Sequence, residues 1–238
     1  MLKEYYYDDK VLGRIRIVRS KKAKRTSIRI TGDADVVLTI PYRQSEDESL
    51  DFFRSKYDWI LSHRNKVKKT VVTKFDDSTE FSTLTFRVKI QKGLSSVFKI
   101  SLSGGLLTIT YPDAINLDLE SSQDVIRMGI EKAMRMEAQR ILPHRLRSLA
   151  EKFGFKFSGV TIRSSKTRWG SCSSLGNINL SYFLMTLPPY LIDYVLLHEL
   201  CHTKEMNHGP RFWALMDKVT AMKSDEYRSD IKKYKTSF

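Results

Sequence analysis

The sequence predicts an α+β fold, with a strand-rich N-terminal part followed by a mainly helical part that carries a small sheet. Short runs with alternating apolar and polar residues are frequent before residue 118, and this period is typical of half-buried strands. Beyond that point apolar residues recur at helical spacing over long stretches. We therefore expect a strand-rich domain with one helix over residues 1–117 and a second domain over residues 118–238.

The N-terminal segment predicts three strands. GRIRIV (13–18) and SIRIT (27–31) alternate isoleucine with arginine, which is the strand period. The polar SKKAKR segment between them predicts a hairpin connection. DVVLTIP (35–41) predicts a third strand, ended by Pro41 because proline cannot donate to a sheet ladder.

One helix is expected next, from Ser45 to about Val67. Ser45 followed three residues later by Glu48 is a capping box, and further acidic residues favour the first turn. Strands then return. TLTFRVKI (83–90) alternates, and VFKISL and LLTITY flank the hairpin turn 103–105.

The C-terminal half predicts a long helix followed by short strands. An apolar stripe runs from Val125 to Phe153, where Pro143 is expected to kink or divide the helix and Gly154 to end it. Short strands fit residues 160–165 and 177–185.

Composition indicates a globular protein with an unusual basic excess. Hydrophobic residues make up 41% and charged residues 29%, and the formal charge is +14. The first residues lack the apolar core of a signal peptide, and no apolar run could span a bilayer. Two cysteines give no disulfide framework. These features lead us to expect a cytoplasmic protein with no membrane association; they do not indicate an oligomeric state.

The segment HELCHTKEMNHGPRFW (198–213) contains three of the five histidines. It follows an apolar helix that begins at the prolines 188–189. On a helix His198 and His202 are about 40° apart in azimuth and ~6 Å apart in rise. Both imidazoles can therefore reach one ion at the ~2.0–2.1 Å that zinc requires, with Glu199 beside them to act on a water. This is the H-E-x-x-H arrangement of zinc metallopeptidases.

A catalytic zinc needs a third protein ligand. Glu205 returns to within about 20° of His198 on the helical wheel, but it lies ~10 Å away along the axis. Its carboxylate would have to reach back past His202. A helix that breaks after His202, followed by the turn-forming residues 207–210, brings His208 to the ion instead. The histidine spacing equals that of metzincins, but their required glycine is Glu205 here.

RWGSCSSLGNINL (168–180) and PPYLIDYVLLHELCHTKEMNHGPRFW (188–213) resemble the YgjP-like metallopeptidase family, and the resemblance covers most of the chain. Over a shorter range the chain is similar to the SprT-type domain, which shares a WGSC segment ahead of H-E-x-x-H and a later histidine. The resemblance implies a zinc-dependent hydrolase with gluzincin-like relatives. It places a zincin-like catalytic domain in residues 118–238, behind the strand-rich part.

The resemblance also implies that His198, His202 and His208 bind Zn²⁺ and that Glu199 is the catalytic carboxylate. The leading hypothesis is hydrolysis of a protein or peptide substrate, with Glu199 as general base and then general acid. Residues 177–185 are either an edge strand that pairs with an extended peptide or an internal strand. Arg168 and Arg211 are candidate oxyanion stabilisers or surface charges.

Two alternatives remain open. The same zinc chemistry could act on a nucleotide or another phosphoanhydride, which the basic surface would suit, although the sequence has no Gly-rich phosphate loop. In a different class, the protein could be a nucleic-acid-associated module that binds DNA, RNA or another polyanion through its +14 charge. This alternative rests on charge and on the similarity to SprT-type domains, because no zinc finger or helix-turn-helix pattern is present.

Overall fold

The computed structural model describes residues 3–30, 35–68 and 74–237, and it divides into two compact units, Met1–Val72 and Thr73–Phe238. Within its described residues, the first unit contains four strands and two helices: β1 (Lys3–Asp9), β2 (Gly13–Ser20), β3 (Ser27–Ile30), β4 (Val36–Pro41), α1 (Glu46–Ser55) and α2 (Tyr57–Lys68). Thr31, the last residue of the predicted strand SIRIT, lies outside the described residues.

The first sheet has the strand order β1-β2-β4-β3. β2 pairs antiparallel with β1 and parallel with β4, and β3 pairs antiparallel with β4. The predicted hairpin between β2 and β3 is therefore wrong, because β4 lies between them. Val36, Val37, Leu38 and Ile40 are all buried, and a strand apolar on successive positions belongs in the centre of a sheet.

Two further features of this unit differ from the prediction. β1 was not predicted, since its consecutive tyrosines between charged residues give no apolar alternation. The predicted single helix is divided at Lys56 into α1 and α2. Its predicted start is confirmed, because the Glu48 backbone N–H donates to the Ser45 hydroxyl at 3.2 Å.

The second unit contains seven strands and four α-helices in the described residues: β5 (Phe81–Ser82), β6 (Arg87–Gly93), β7 (Lys99–Ser103), β8 (Leu106–Pro112), α3 (Glu120–Phe153), β9 (Gly159–Arg163), β10 (Gly170–Cys172), β11 (Asn177–Ser181), α4 (Pro189–Cys201), α5 (Pro210–Val219) and α6 (Ser224–Asp230). None of the helices in the described ranges is long and apolar enough to cross a membrane. The α+β class predicted from the sequence is confirmed.

The strands β5 to β8 form a sheet of order β5-β6-β8-β7, which repeats the order and strand directions of the first sheet. The predicted hairpin around Gly104 and Gly105 is present, and both glycines have the positive φ that its turn requires. Buried side chains of this sheet, such as Val88 and Ile109, share one core with α3 and α4. The division expected at 117/118 therefore differs from that of the structure, which separates compact units at 72/73.

α3 is one continuous helix of 34 residues, so Pro143 does not divide it. Leu142 and Leu146, on either side of the proline, are fully buried. Packing of this face into the core outweighs the local cost of the proline. Gly154 ends the helix in the left-handed conformation, as predicted.

The third sheet has the order β10-β11-β9, with β11 parallel to β9 and antiparallel to β10. β11 is internal, so the edge-strand interpretation of residues 177–185 is wrong. The strand also ends early, at Ser181, whose hydroxyl accepts a hydrogen bond from the Phe183 N–H and begins a 3₁₀ turn over Tyr182–Thr186. The short strand β10 is an edge of this sheet.

Candidate metal centre

The helix α4 carries the H-E-x-x-H segment and is embedded in the core of the second unit. Pro189 occupies its first turn, where a missing N–H costs nothing. Its buried residues lie on all sides of the axis: Leu191, Ile192, Tyr194, Val195, Leu196, Leu197, Glu199, Leu200 and Cys201. His198 stands in the last turn, and His202 is the residue at which the helix ends. This packing fixes the position of both histidines.

The three histidines converge on one point. The Nε2 atoms of His198 and His202 are 3.2 Å apart, and the His208 Nε2 atom is 3.1 Å from each of them. These three are the only group of possible metal ligands of this kind in the described ranges. Burial lowers the pKa of His198 to about 3, and the neighbouring imidazoles and Arg228 act in the same direction. Neutral imidazoles with converging nitrogens suit a metal ion.

The turn after α4 orients His202. The backbone N–H of Glu205 donates to the Cys201 carbonyl at 2.9 Å, so the chain folds back directly after the helix. The Glu205 carbonyl oxygen lies 3.0 Å from His202 Nδ1. A proton on Nδ1 donated to this carbonyl leaves the Nε2 lone pair directed at the cluster. Glu205, weighed above as a ligand, contributes its backbone, and its carboxylate is not part of the cluster.

Two aromatic residues at the start of α5 support His208. The Trp213 indole N–H donates to the His208 carbonyl at 3.1 Å, and the two rings stack with centroids 5.8 Å apart. Phe212 is fully buried, and its ring centroid lies 4.5–4.9 Å from those of all three imidazoles. The exposed loop histidine is therefore held by a packed helix terminus. The sequence predicts a helix after this loop, but no pattern in it indicates that Phe212 and Trp213 contact the histidines.

Glu199 is 5% exposed and lies against β10. Burial raises its pKa to about 8, partly opposed by the positive charge of Arg168. Gly170 makes this position possible, because a Cβ on residue 170 would lie 2.6 Å from Glu199 Oε1. The sequence motif does not indicate this contact, since residues 170 and 199 are brought together by the packing of β10 on α4.

A cleft of about 520 Å³ opens beside the histidines, and Arg168, Trp169, Tyr194, Trp213 and Arg228 contribute to its walls. A second depression, lined in part by Gly170, Ser171 and Cys172, also reaches His198, His202 and His208. Arg168 thus lines the cleft. Within the described residues, Arg211, the other candidate oxyanion stabiliser, lines neither the cleft nor the depressions beside it.

Comparison with known proteins connects this geometry to a family. The structure of the metallopeptidase zymogen of Pyrococcus abyssi abylysin matches 39% of this chain and 93% of that chain, with 26% identity and a TM-score of 0.36. No curated protein is significantly similar to the chain. A protein-family model described as "YgjP-like, metallopeptidase domain" matches residues 24–233. The match covers most of the chain and includes the whole histidine cluster. The match gives no support to the nucleic-acid alternative. The protein therefore belongs to the YgjP-like metallopeptidase family.

Proposed function

We propose that the protein is a zinc-dependent metallopeptidase in which His198, His202 and His208 hold the metal and Glu199 is the general base and acid. The observation that carries this proposal is the convergence of three Nε2 atoms, 3.1–3.2 Å apart, beside a buried carboxylate. Three protein ligands with one open position are the arrangement of catalytic zinc sites.

The donor set fits zinc. A triangle with the edges observed here has its corners about 1.8 Å from its centre, slightly less than the ~2.0–2.1 Å of a zinc–nitrogen bond. Imidazole nitrogens also suit zinc better than they suit Mg²⁺ or Ca²⁺, which prefer oxygen. When bound in such a site, zinc polarises a carbonyl and lowers the pKa of water toward neutrality.

In this proposal Glu199 moves the proton. Its Oε2 atom is buried and has no hydrogen-bond partner among the described residues, so the carboxylate is available to a water in the cleft. The environment raises its pKa to about 8 in the metal-free protein, by burial. A carboxylate in this position can accept a proton from the attacking water and deliver it to the leaving amine.

The peptide is proposed to pair with the edge strand β10. The Ser181 N–H donates to the Trp169 carbonyl at 2.8 Å, and the Ser173 N–H donates to the Asn177 carbonyl at 2.9 Å. Hydrogen-bonded positions alternate along an antiparallel ladder, so the backbone groups of Gly170 point away from β11. This edge faces the histidines, where an extended peptide could add a strand.

The proposal is tested with zinc-loaded protein and unfolded casein. Glu199→Gln should retain zinc and lower the hydrolysis rate by about 10²- to 10⁴-fold, as expected for loss of a general base. Glu151→Gln on the exposed surface of α3 is the matched control and should keep the wild-type rate. Hydrolysis by Glu199→Gln at the wild-type rate would contradict the assignment.

The ligand assignment has a separate test. His208→Ala should weaken zinc binding by more than about 100-fold, measured as metal content after dialysis and by competition with a chelator. His144→Ala, an exposed histidine on α3, should leave the metal content unchanged. Tight stoichiometric zinc in His208→Ala would exclude His208 as a ligand.

A further inference from the structure

The cleft beside the histidines contains more positive than negative side chains. Arg168 and Arg228 both line it, and Glu199 is the one carboxylate among the described lining residues. Neither arginine forms an ion pair with a carboxylate in the described ranges. Two guanidinium groups that share a cleft repel each other, and a bound zinc would add to the positive potential. An anionic group on the substrate would relieve this imbalance.

Both arginines line the same cleft as His198, His208 and Glu199. A peptide bound in this cleft with its scissile bond at the histidines would therefore pass close to Arg168 and Arg228.

Arg228 is held in a defined position. Its guanidinium carbon lies 4.6 Å from the centroid of the Trp213 ring. Trp213 in turn stacks on His208 and donates a hydrogen bond to its backbone carbonyl. The guanidinium is therefore positioned, through one aromatic ring, relative to a proposed metal ligand. Stacking uses the face of a guanidinium and leaves its in-plane N–H donors for other partners.

We propose that Arg228, stacked on Trp213, is a subsite for a carboxylate of the peptide substrate, with Arg168 in the same cleft adding to the attraction. This inference rests on the proposed peptidase function and adds a substrate class to it, namely acidic peptides. A guanidinium fork matches a carboxylate with two parallel hydrogen bonds. An extended peptide advances about 3.3 Å per residue, so moving one carboxylate along the peptide changes its reach to Arg228 in steps of that size.

The carboxylate can come from an Asp or Glu side chain or from the C-terminus of the peptide. The probe is a set of alanine-based octapeptides in which one Glu is moved along the sequence, each with a matched Gln peptide and each made with a free and an amidated C-terminus. Hydrolysis by the zinc-loaded wild type gives kcat and KM. Binding to the zinc-loaded Glu199→Gln variant, followed by fluorescence anisotropy, gives an affinity that does not depend on turnover.

The variants are Arg228→Gln and Arg228→Lys, each also combined with Glu199→Gln for binding. The control is Arg147→Gln on the exposed surface of α3, outside the lining of the cleft. We expect kcat/KM and the affinity to be about 10-fold higher for the carboxylate peptide than for its neutral partner. This factor lies between the typical contribution of an exposed ion pair and that of a buried hydrogen bond to a charged group. Arg228→Gln should abolish this preference, Arg228→Lys should keep part of it, and Arg147→Gln should leave it intact.

Preference for Glu at one position would assign the subsite to an acidic side chain. Loss of binding on amidation alone would assign it to the terminal carboxylate. Equal kcat/KM and equal affinity for charged and neutral peptides would overturn the inference while leaving the peptidase function intact, as would a preference that survives in Arg228→Gln. If the wild type cleaves no peptide but Glu199→Gln still binds the carboxylate peptide through Arg228, the subsite stands and the proposed peptidase function fails.

Discussion

Replacement of Gly170 by alanine is the sharpest test of how Glu199, the proposed catalytic carboxylate, is held. A Cβ at this position would lie 2.6 Å from Glu199 Oε1, 2.8 Å from Cγ and 2.9 Å from Cδ. Ordinary contact begins at 3.4 Å, so the carboxylate or the strand must move by about 0.8 Å. Glu199 is 5% exposed, which leaves its side chain little room to rotate away.

A displacement of this size near reacting atoms costs about 100-fold in rate. We therefore expect Gly170→Ala to lower kcat/KM for casein or peptide hydrolysis by about 100-fold. Zinc content should remain stoichiometric, because the three nearest atoms to the added Cβ all belong to Glu199 and none to a histidine.

The control is Gly159→Ala in the same sheet, where the added Cβ meets a side-chain amide oxygen at 3.2 Å, outside the cleft. Its activity should remain near that of the wild type. The double variant Gly170→Ala/Glu199→Gln separates positioning from a general disturbance: it should be no slower than Glu199→Gln alone, because both changes act on the same group. Wild-type activity in Gly170→Ala, or additive losses in the double variant, would refute the reasoning.

Three further predictions concern stability, measured by urea unfolding. Gln123 is buried and makes three hydrogen bonds to backbone groups, two of them to Phe75. Gln123→Ala should therefore lower the free energy of unfolding by about 2–3 kcal/mol. A decrease below ~0.5 kcal/mol would exclude a structural role for these hydrogen bonds. Arg145 joins α3 to Asp193 of α4 through two hydrogen bonds of 2.5 and 2.9 Å. Arg145→Lys should lower the free energy of unfolding by about 1 kcal/mol, because lysine cannot form the paired contact. Burial acts to raise the pKa of Asp9, but hydrogen bonds from two backbone N–H groups and a tyrosine hydroxyl lower it below 3.8. Because the folded pKa is depressed, this stabilisation is present above pH about 4 and is lost as the pH falls through the folded value, so the stability difference between wild type and Asp9→Ala should shrink below pH 4.

Local patterns in the sequence were sufficient to predict several helices and strands and the clustering of the three histidines. The four-residue spacing of His198 and His202 and the turn residues before α5 lead directly to the arrangement seen in the structure. Such inferences depend on helix geometry and turn chemistry within about ten residues, where sequence and space are closely linked.

Features that depend on distant residues were not predictable in this way. The insertion of β4 between β2 and β3 is decided by which strand buries both faces, and this requires knowledge of the whole sheet. The contact of Gly170 with Glu199 and the stacking of Arg228 on Trp213 join residues that no periodic pattern connects. Pro143 shows the reverse case, in which a correct local rule is overridden by burial of the surrounding helix.

The burial of α4 on all sides has a thermodynamic consequence for the metal. Small zinc modules use the free energy of metal binding to fold, because their ligands are not assembled without the ion. In this protein the hydrophobic core holds the helix, so the conformational entropy of its two histidines is lost during folding rather than during metal binding. Under the proposed function, zinc would then bind as an ordinary ligand of a folded protein and add about 4 kcal/mol of stability when its free concentration is 1,000 times the dissociation constant. Metal supply and folding would thereby be separated: if the proposed function holds, the protein would fold without zinc in an inactive form, and addition of the ion alone would activate it.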